Sequence, residues 1–162
     1  METVTLQFCS FDSLAGELID WFTQGSVGHV DAVMSDGSLL GAQHEAGLGG
    51  MPAGVQIRPA NYGGNSGMRH RMRASLMVTD DEAEAFYSFL RQQVGKPYDT
   101  TAILAFAVGR DWRERDSWFC SELQAAALEE AGIVRRLVAP SQKITPAALM
   151  LTCSALTDIE PV

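Results

Sequence analysis

Residues 3–9 alternate and are rich in β-branched side chains, which predicts a strand. Asp12 or Ser13 can cap a helix behind it, where Leu14, Leu18, Ile19 and Phe22 form one apolar stripe. Gly25-Ser26-Val27-Gly28 ends that helix. A strand is predicted over 29–34, a hairpin turn at Ser35-Asp36-Gly37-Ser38, and a returning strand over 38–43. Alternation puts His29, Asp31 and Val33 on one face of the first strand and Val30, Ala32 and Met34 on the other. The segment 45–54 holds four glycines and a proline and reads as a mobile loop, with a short strand over 55–58.

The second half repeats the logic with longer elements. From 68 to 78, Met68, His70, Met72, Ala74, Leu76 and Val78 share one face, and Arg69, Arg71 and Arg73 the other. Thr79 or Asp80 caps a helix over 81–94 whose buried side carries Ala85, Phe86, Phe89 and Leu90. Gly95-Lys96-Pro97-Tyr98-Asp99 is a turn, and Asp99 or Thr100 caps an apolar helix to Val108. A polar loop over 109–116 leads to a helix that begins at Cys120 and stops at Gly132, and a last short helix is predicted over 146–151. The pattern is an α+β fold with a small, mostly antiparallel sheet packed against helices.

Composition narrows the function. The chain has 162 residues, 46% of them hydrophobic, which fits a single domain with one core. Twenty acidic residues against twelve basic give a net charge of −8, which argues against a nucleic-acid surface and against anionic lipid. No apolar run is long enough to span a membrane, and the first residues lack signal-peptide blocks, so a cytoplasmic location is expected. The three cysteines fit no metal spacing and are expected to be reduced and metal-free.

Cys120 stands on the opening turn of its helix, in Trp118-Phe119-Cys120-Ser121-Glu122-Leu123. Unpaired N–H groups and the positive end of the dipole favour a thiolate there. A free cysteine beside aromatics is also commonly a small buried hydrophobe. Cys9 and Cys153 lack a helix-start setting and read as core or edge residues. His29, with Asp31 on its face, is expected to look into a polar cleft, whereas His70 among methionines reads as packed. Asp31 lies about 7 Å along the strand from His29, which is long for a direct hydrogen bond. Glu122 reads as a first-turn acid favoured by the dipole, and the arginine face as a solvated one.

Three segments in this order resemble the permuted branch of the NlpC-type papain-like cysteine peptidases, the YiiX/YebB-like group, including small phage-encoded members. They are Leu18-Ile19-Asp20-Trp21-Phe22-Thr23 leading to Gly28-His29-Val30, then Gly95-Lys96-Pro97-Tyr98-Asp99, then the Cys120 helix start. The resemblance covers about residues 14–130 and implies a circularly permuted papain-like fold, which puts histidine before cysteine. It implies Cys120 as nucleophile, His29 as base, Tyr98 and Trp118 as substrate contacts, and no cofactor or metal. In the family a polar residue on the strand after the histidine strand orients the imidazole. That position falls here on Gly41, which has no side chain; Gln43 points the same way and is the expected substitute, or His44 if the strand slips by one.

The expected function is therefore a thiol hydrolase or acyl transferase acting on an amide or ester, with a peptidoglycan-type peptide or lipid-linked acyl group as substrate by analogy. The alternative is a catalytically inert binding or assembly module on the same fold, which the glycine at the orienting position favours.

Overall fold

The computed structural model describes residues 1–11, 27–44, 52–62, 68–100, 116–135 and 144–162. The helix expected over 14–22, residues 45–51 of the glycine-rich segment, the apolar helix expected after Thr100 and most of the polar loop behind it lie outside the described residues. Among the described residues, six strands form one antiparallel sheet: β1 (Glu2–Phe11), β2 (His29–Val33), β3 (Leu39–Gln43), β4 (Gly54–Arg58), β5 (Met68–Val78) and β6 (Ile159–Pro161). Their order is β4-β3-β2-β1-β5-β6. Three helices accompany it: α1 (Asp80–Gln93), α2 (Cys120–Glu130) and α3 (Pro146–Ser154). The α+β class expected from the sequence is observed.

The alternating β-branched stretch at the N-terminus becomes a central strand because it has two long partners. β1 pairs with β2 on one side and with β5, from Glu2↔Val78 to Phe11↔Met68, on the other. Val4, Leu6 and Phe8 of β1 meet Val30, Ala32, Leu40, Ala74 and Leu76 in the main core, together with Phe86 and Leu90 of α1 and Leu123 and Leu128 of α2. Each such side chain contributes roughly 1.5–3 kcal/mol by leaving water. Helix α2 packs on β2, β3 and α1, so its first turn stands over the start of the histidine strand. A second, smaller apolar cluster joins Cys9, Leu39 and Tyr62, with Val33 against it.

The helix boundaries follow local chemistry. Thr79 caps α1 through a capping box: its hydroxyl accepts from the Glu82 N–H at 3.2 Å, and Glu82 Oε2 accepts from the Thr79 N–H at 2.7 Å. Thr145 caps α3 by accepting from Ala148 N–H at 3.1 Å, with Pro146 at the first helical position.

Two features depart from the sequence reading. His70 is exposed rather than packed. The β1–β5 register slips between Phe8 and Ser10, so β5 carries one extra residue there, and His70 takes φ +48°. A strict period-2 count cannot see a bulge, which turns the next side chains over. The second departure is β6, a three-residue strand beside β5. It is too short to show alternation, and Pro161 is tolerated because the strand lies at the sheet edge.

The bulge yields a stability prediction. A left-handed backbone suits glycine, so His70→Gly holds or raises stability by up to about 1 kcal/mol, whereas His70→Val lowers it. Urea denaturation of both variants reads the difference, and equal midpoints for the two would show that this conformation is not enforced.

Candidate active site

His29 opens β2 and Cys120 opens α2, and the packing of α2 on β2 brings these first residues together. The Cys120 thiol faces the His29 ring closely enough to help raise the imidazole's pKa. Cys120 Sγ also lies 4.0 Å from the carbonyl oxygen of Gly28. Both side chains are buried, with His29 4% and Cys120 1% exposed.

Polar ties fix α2 at this depth. Glu122 Oε2 accepts from the Phe119 N–H at 3.3 Å, which caps the helix start. Ser121 Oγ donates to Ile144 O at 2.7 Å, and Gln124 Nε2 donates to Leu40 O on β3 at 3.0 Å. The cysteine is thus placed by a helix hydrogen-bonded to its neighbours as well as packed on them.

The residue that orients His29 is Asp31. Its Oδ2 lies 2.9 Å from His29 Nε2, although two positions along a strand had argued against a direct bond. Side chains lean along a strand, and the carboxylate has room to do so because of Gly41. A Cβ at position 41 would overlap Asp31 Oδ1 and crowd Val30 O, so only glycine fits under the carboxylate. The glycine that seemed to cost the site its orienting group is what admits the group that replaces it. Gln43 is buried at the end of β3, where it pairs with Gly54, and His44 is half-buried with its Nδ1 unpartnered; neither is bonded to His29. The expectation that Gln43 orients the imidazole is corrected to Asp31.

Two further residues, which sequence reasoning missed, complete the surroundings. The Tyr62 hydroxyl donates to Asp31 Oδ2 at 2.6 Å and stands 3.0 Å from His29 Nε2. Arg58, at the end of β4, is buried with its guanidinium centre 5.4 Å from the centroid of the Tyr62 ring. Its donors go to main-chain carbonyls, Nη1 to Gly41 at 2.9 Å and Nη2 to Gly54 at 2.9 Å and Pro52 at 3.1 Å. No spacing rule connects Tyr62 to a histidine thirty-three positions earlier; a strand-ending arginine followed by a tyrosine was the only trace.

The turn 95–99 places Tyr98. Gly54, at φ +98°, lets β4 approach Lys96, and Val55 N–H donates to Lys96 O at 2.9 Å. Tyr98 then forms a parallel bridge with Trp118, in which Trp118 N–H donates to Pro97 O and Asp99 N–H to Trp118 O, each at 3.1 Å. The Tyr98 hydroxyl faces Cys120, and its ring packs on Phe119 and edge-on to His44. The Trp118 indole turns to α1 instead, donating to Gln93 Oε1 at 3.1 Å, so it holds the chain leading into α2.

Burial alone would lower the His29 pKa, but the charge of Asp31 and its hydrogen bond, followed by the hydrogen bond and charge of Cys120, outweigh it and raise it to about 10. Burial likewise opposes an ionised Asp31. His29 first, then the Tyr62 hydroxyl and Arg58, overcome it and hold the carboxyl below its ordinary value. Burial, then the Asp31 charge, pushes the Tyr62 hydroxyl well above the usual phenol value. The arrangement holds a charged imidazole beside Cys120 at neutral pH. Among the described residues no group of His, Cys, Asp and Glu could hold a metal ion, and no helix is long and apolar enough to cross a membrane. None of the three cysteines is in a disulfide. No protein-family model matches the chain, and no curated protein is significantly similar to it.

Two predictions test this geometry. His29, raised above its ordinary 6.5, contributes stability that is full below that value and fades as pH climbs toward about 10. Asp31, lowered from 3.8, contributes stability that is present above that value and lost as pH falls through its depressed pKa. Asp31→Asn therefore lowers stability by about 3–5 kcal/mol, most between 3.8 and 6.5 and less toward high pH. Urea denaturation across the pH range reads this, and a pH-independent loss would rule the ion pair out. Gly41→Ala costs about 1–3 kcal/mol by displacing the carboxylate, and most of that cost disappears in an Asp31→Ala background. Additive losses in that cycle would show that position 41 has nothing to do with Asp31.

Proposed function

We propose that this protein is a thiol hydrolase or acyl transferase that cleaves an amide or ester through Cys120 and His29, with Asp31 as the orienting residue. One observation carries the reading: a buried, charge-stabilised histidine bonded to a carboxylate and facing a helix-start cysteine. That is the order of groups a cysteine nucleophile needs, whichever fold supplies it. In the reaction His29 carries the Cys120 proton, the thiolate sulfur attacks the carbonyl carbon, and the carbon–oxygen double bond opens to an oxyanion. The Cys120 N–H at the start of α2 donates to that oxyanion. His29 gives its proton to the departing amine or alcohol as the tetrahedral species collapses to a thioester. It then takes a proton from water or an acceptor alcohol or amine, which attacks the thioester and frees the cysteine. Tyr98, against the sulfur, shapes the acyl site.

The order histidine then cysteine, the turn 95–99 and the Cys120 helix start support assignment to the permuted NlpC-type group. A peptidoglycan-type peptide or a lipid-linked acyl chain is then the substrate class proposed by analogy. The closed position of Cys120, 1% exposed, favours the second reading, an inert binding or assembly module on the same scaffold.

An acyl-transfer assay separates the two. p-Nitrophenyl acetate at neutral pH is expected to leave one acetyl group on Cys120, found by mass spectrometry of the tryptic peptide. The adduct is absent in Cys120→Ala and forms at least about tenfold more slowly in His29→Ala. Cys153, whose thiol burial pushes up to about 12, serves as an internal control. Acetylation of Cys9 or Cys153 at the rate of Cys120, or no acetylation of Cys120 at all, would overturn the enzymatic reading.

A further inference from the structure

We propose that Tyr62 and Arg58 are positioning residues that keep Asp31 ionised and aimed at His29, so that the working unit is a four-member relay, Arg58–Tyr62–Asp31–His29, rather than a histidine–carboxylate pair. The proposal extends the reading of Cys120 and His29 as the reacting couple, but its geometry stands without that chemistry.

The argument begins with Arg58. A guanidinium 2% exposed is costly unless something compensates its charge. Among the described residues it forms no ion pair; its donors go to the carbonyls of Gly41, Gln56, Pro52 and Gly54. Those carbonyls satisfy its hydrogens but carry no net charge. The anion that answers it is Asp31, bonded to the hydroxyl of the tyrosine whose ring Arg58 covers. Tyr62 joins the two: its ring face receives the cation, and its hydroxyl donates to Asp31 Oδ2. A cation over the ring makes the phenol a better donor, which strengthens that bond.

The same arrangement fixes direction. Asp31 Oδ2 takes both Tyr62 and His29, while Oδ1 lies unpartnered over Gly41. Without Tyr62 the carboxylate would be held only by the imidazole and could turn about its Cβ–Cγ bond. Arg58 bonds the carbonyl of Gly41 as well, so it also sets the floor under that carboxylate. The groups facing Asp31 and His29 are thus Cys9 on β1, Arg58 on β4, Tyr62 behind β4 and Cys120 on α2. Of these Arg58 alone is always a cation.

The test reads Asp31 itself. In protein carrying carboxyl-13C aspartate, with the Asp31 resonance identified by its absence in Asp31→Asn, the carboxyl is followed through acid titration. Tyr62→Phe and Arg58→Gln are each expected to raise its midpoint by roughly one pH unit, while Arg58→Lys, which keeps the charge, restores most of the shift. Tyr62→Phe keeps the ring against Arg58 and decides the matter if Arg58→Gln does not fold. A midpoint unchanged in folded Tyr62→Phe, or a Lys variant indistinguishable from the Gln variant, overturns the relay. Acetylation of Cys120 is measured in the same samples. If the carboxyl midpoint moves while Cys120 is never acetylated, the relay holds and the hydrolase reading fails; if acetylation proceeds and the midpoint stays, the reverse is true.

Discussion

A histidine that is 4% exposed keeps its proton only if a fixed anion stands beside it, and Asp31 Oδ2, 2.9 Å from Nε2, is that anion. Much of the surrounding structure is a condition for this contact. Gly41 leaves space for the carboxylate, Tyr62 donates to it, and Arg58 balances its charge from behind the ring. On the other side α2 delivers the thiol, held at its depth by the Ser121 and Gln124 bonds to Ile144 and Leu40. Remove the carboxylate and the imidazole keeps its burial penalty with only Cys120 left to oppose it.

The regular parts of this frame were legible in the sequence because they rest on short-range rules. Thr79 and Glu82 announce the start of α1 through a reciprocal cap, and Gly132 stops α2 where the pattern ends. β2 and β3 follow from alternation and the turn Ser35-Asp36-Gly37-Ser38, and that reading already put Gly41 in the position where an orienting side chain was sought. The coupling of Cys120 to His29 was inferable from their types and settings, since a helix start and a strand start are each places where polar groups converge.

What was not legible depended on distances between side chains rather than on spacing along the chain. Asp31 was discounted from the repeat of a strand, which fixes Cα positions but not where two long side chains meet. The decisive fact was an absence, the missing Cβ at Gly41, whose effect appears only once β3 lies against β2. Read in sequence, that glycine looked like a lost function; in the fold it is the reason an aspartate two residues from the histidine can serve. Arg58 and Tyr62 were invisible for a related reason. Their partners are carbonyls, a ring face and a carboxylate on other strands, and no local motif encodes such contacts. The bulge at His70 belongs with these, because pairing between strands and not the pattern of β5 decides where the extra residue sits.

The charges around the site make a chemical argument of their own. Arg58 and His29 supply two buried positive charges and Asp31 a buried negative one, while the carboxylates of Asp99 and Glu122 are buried on the Cys120 side. In a low-dielectric interior fixed charges act strongly on their neighbours, and Cys120 is the group that His29 faces on that side. Under the proposed acyl transfer these charges are already in place before negative charge forms on the substrate oxygen, so none has to move to meet it.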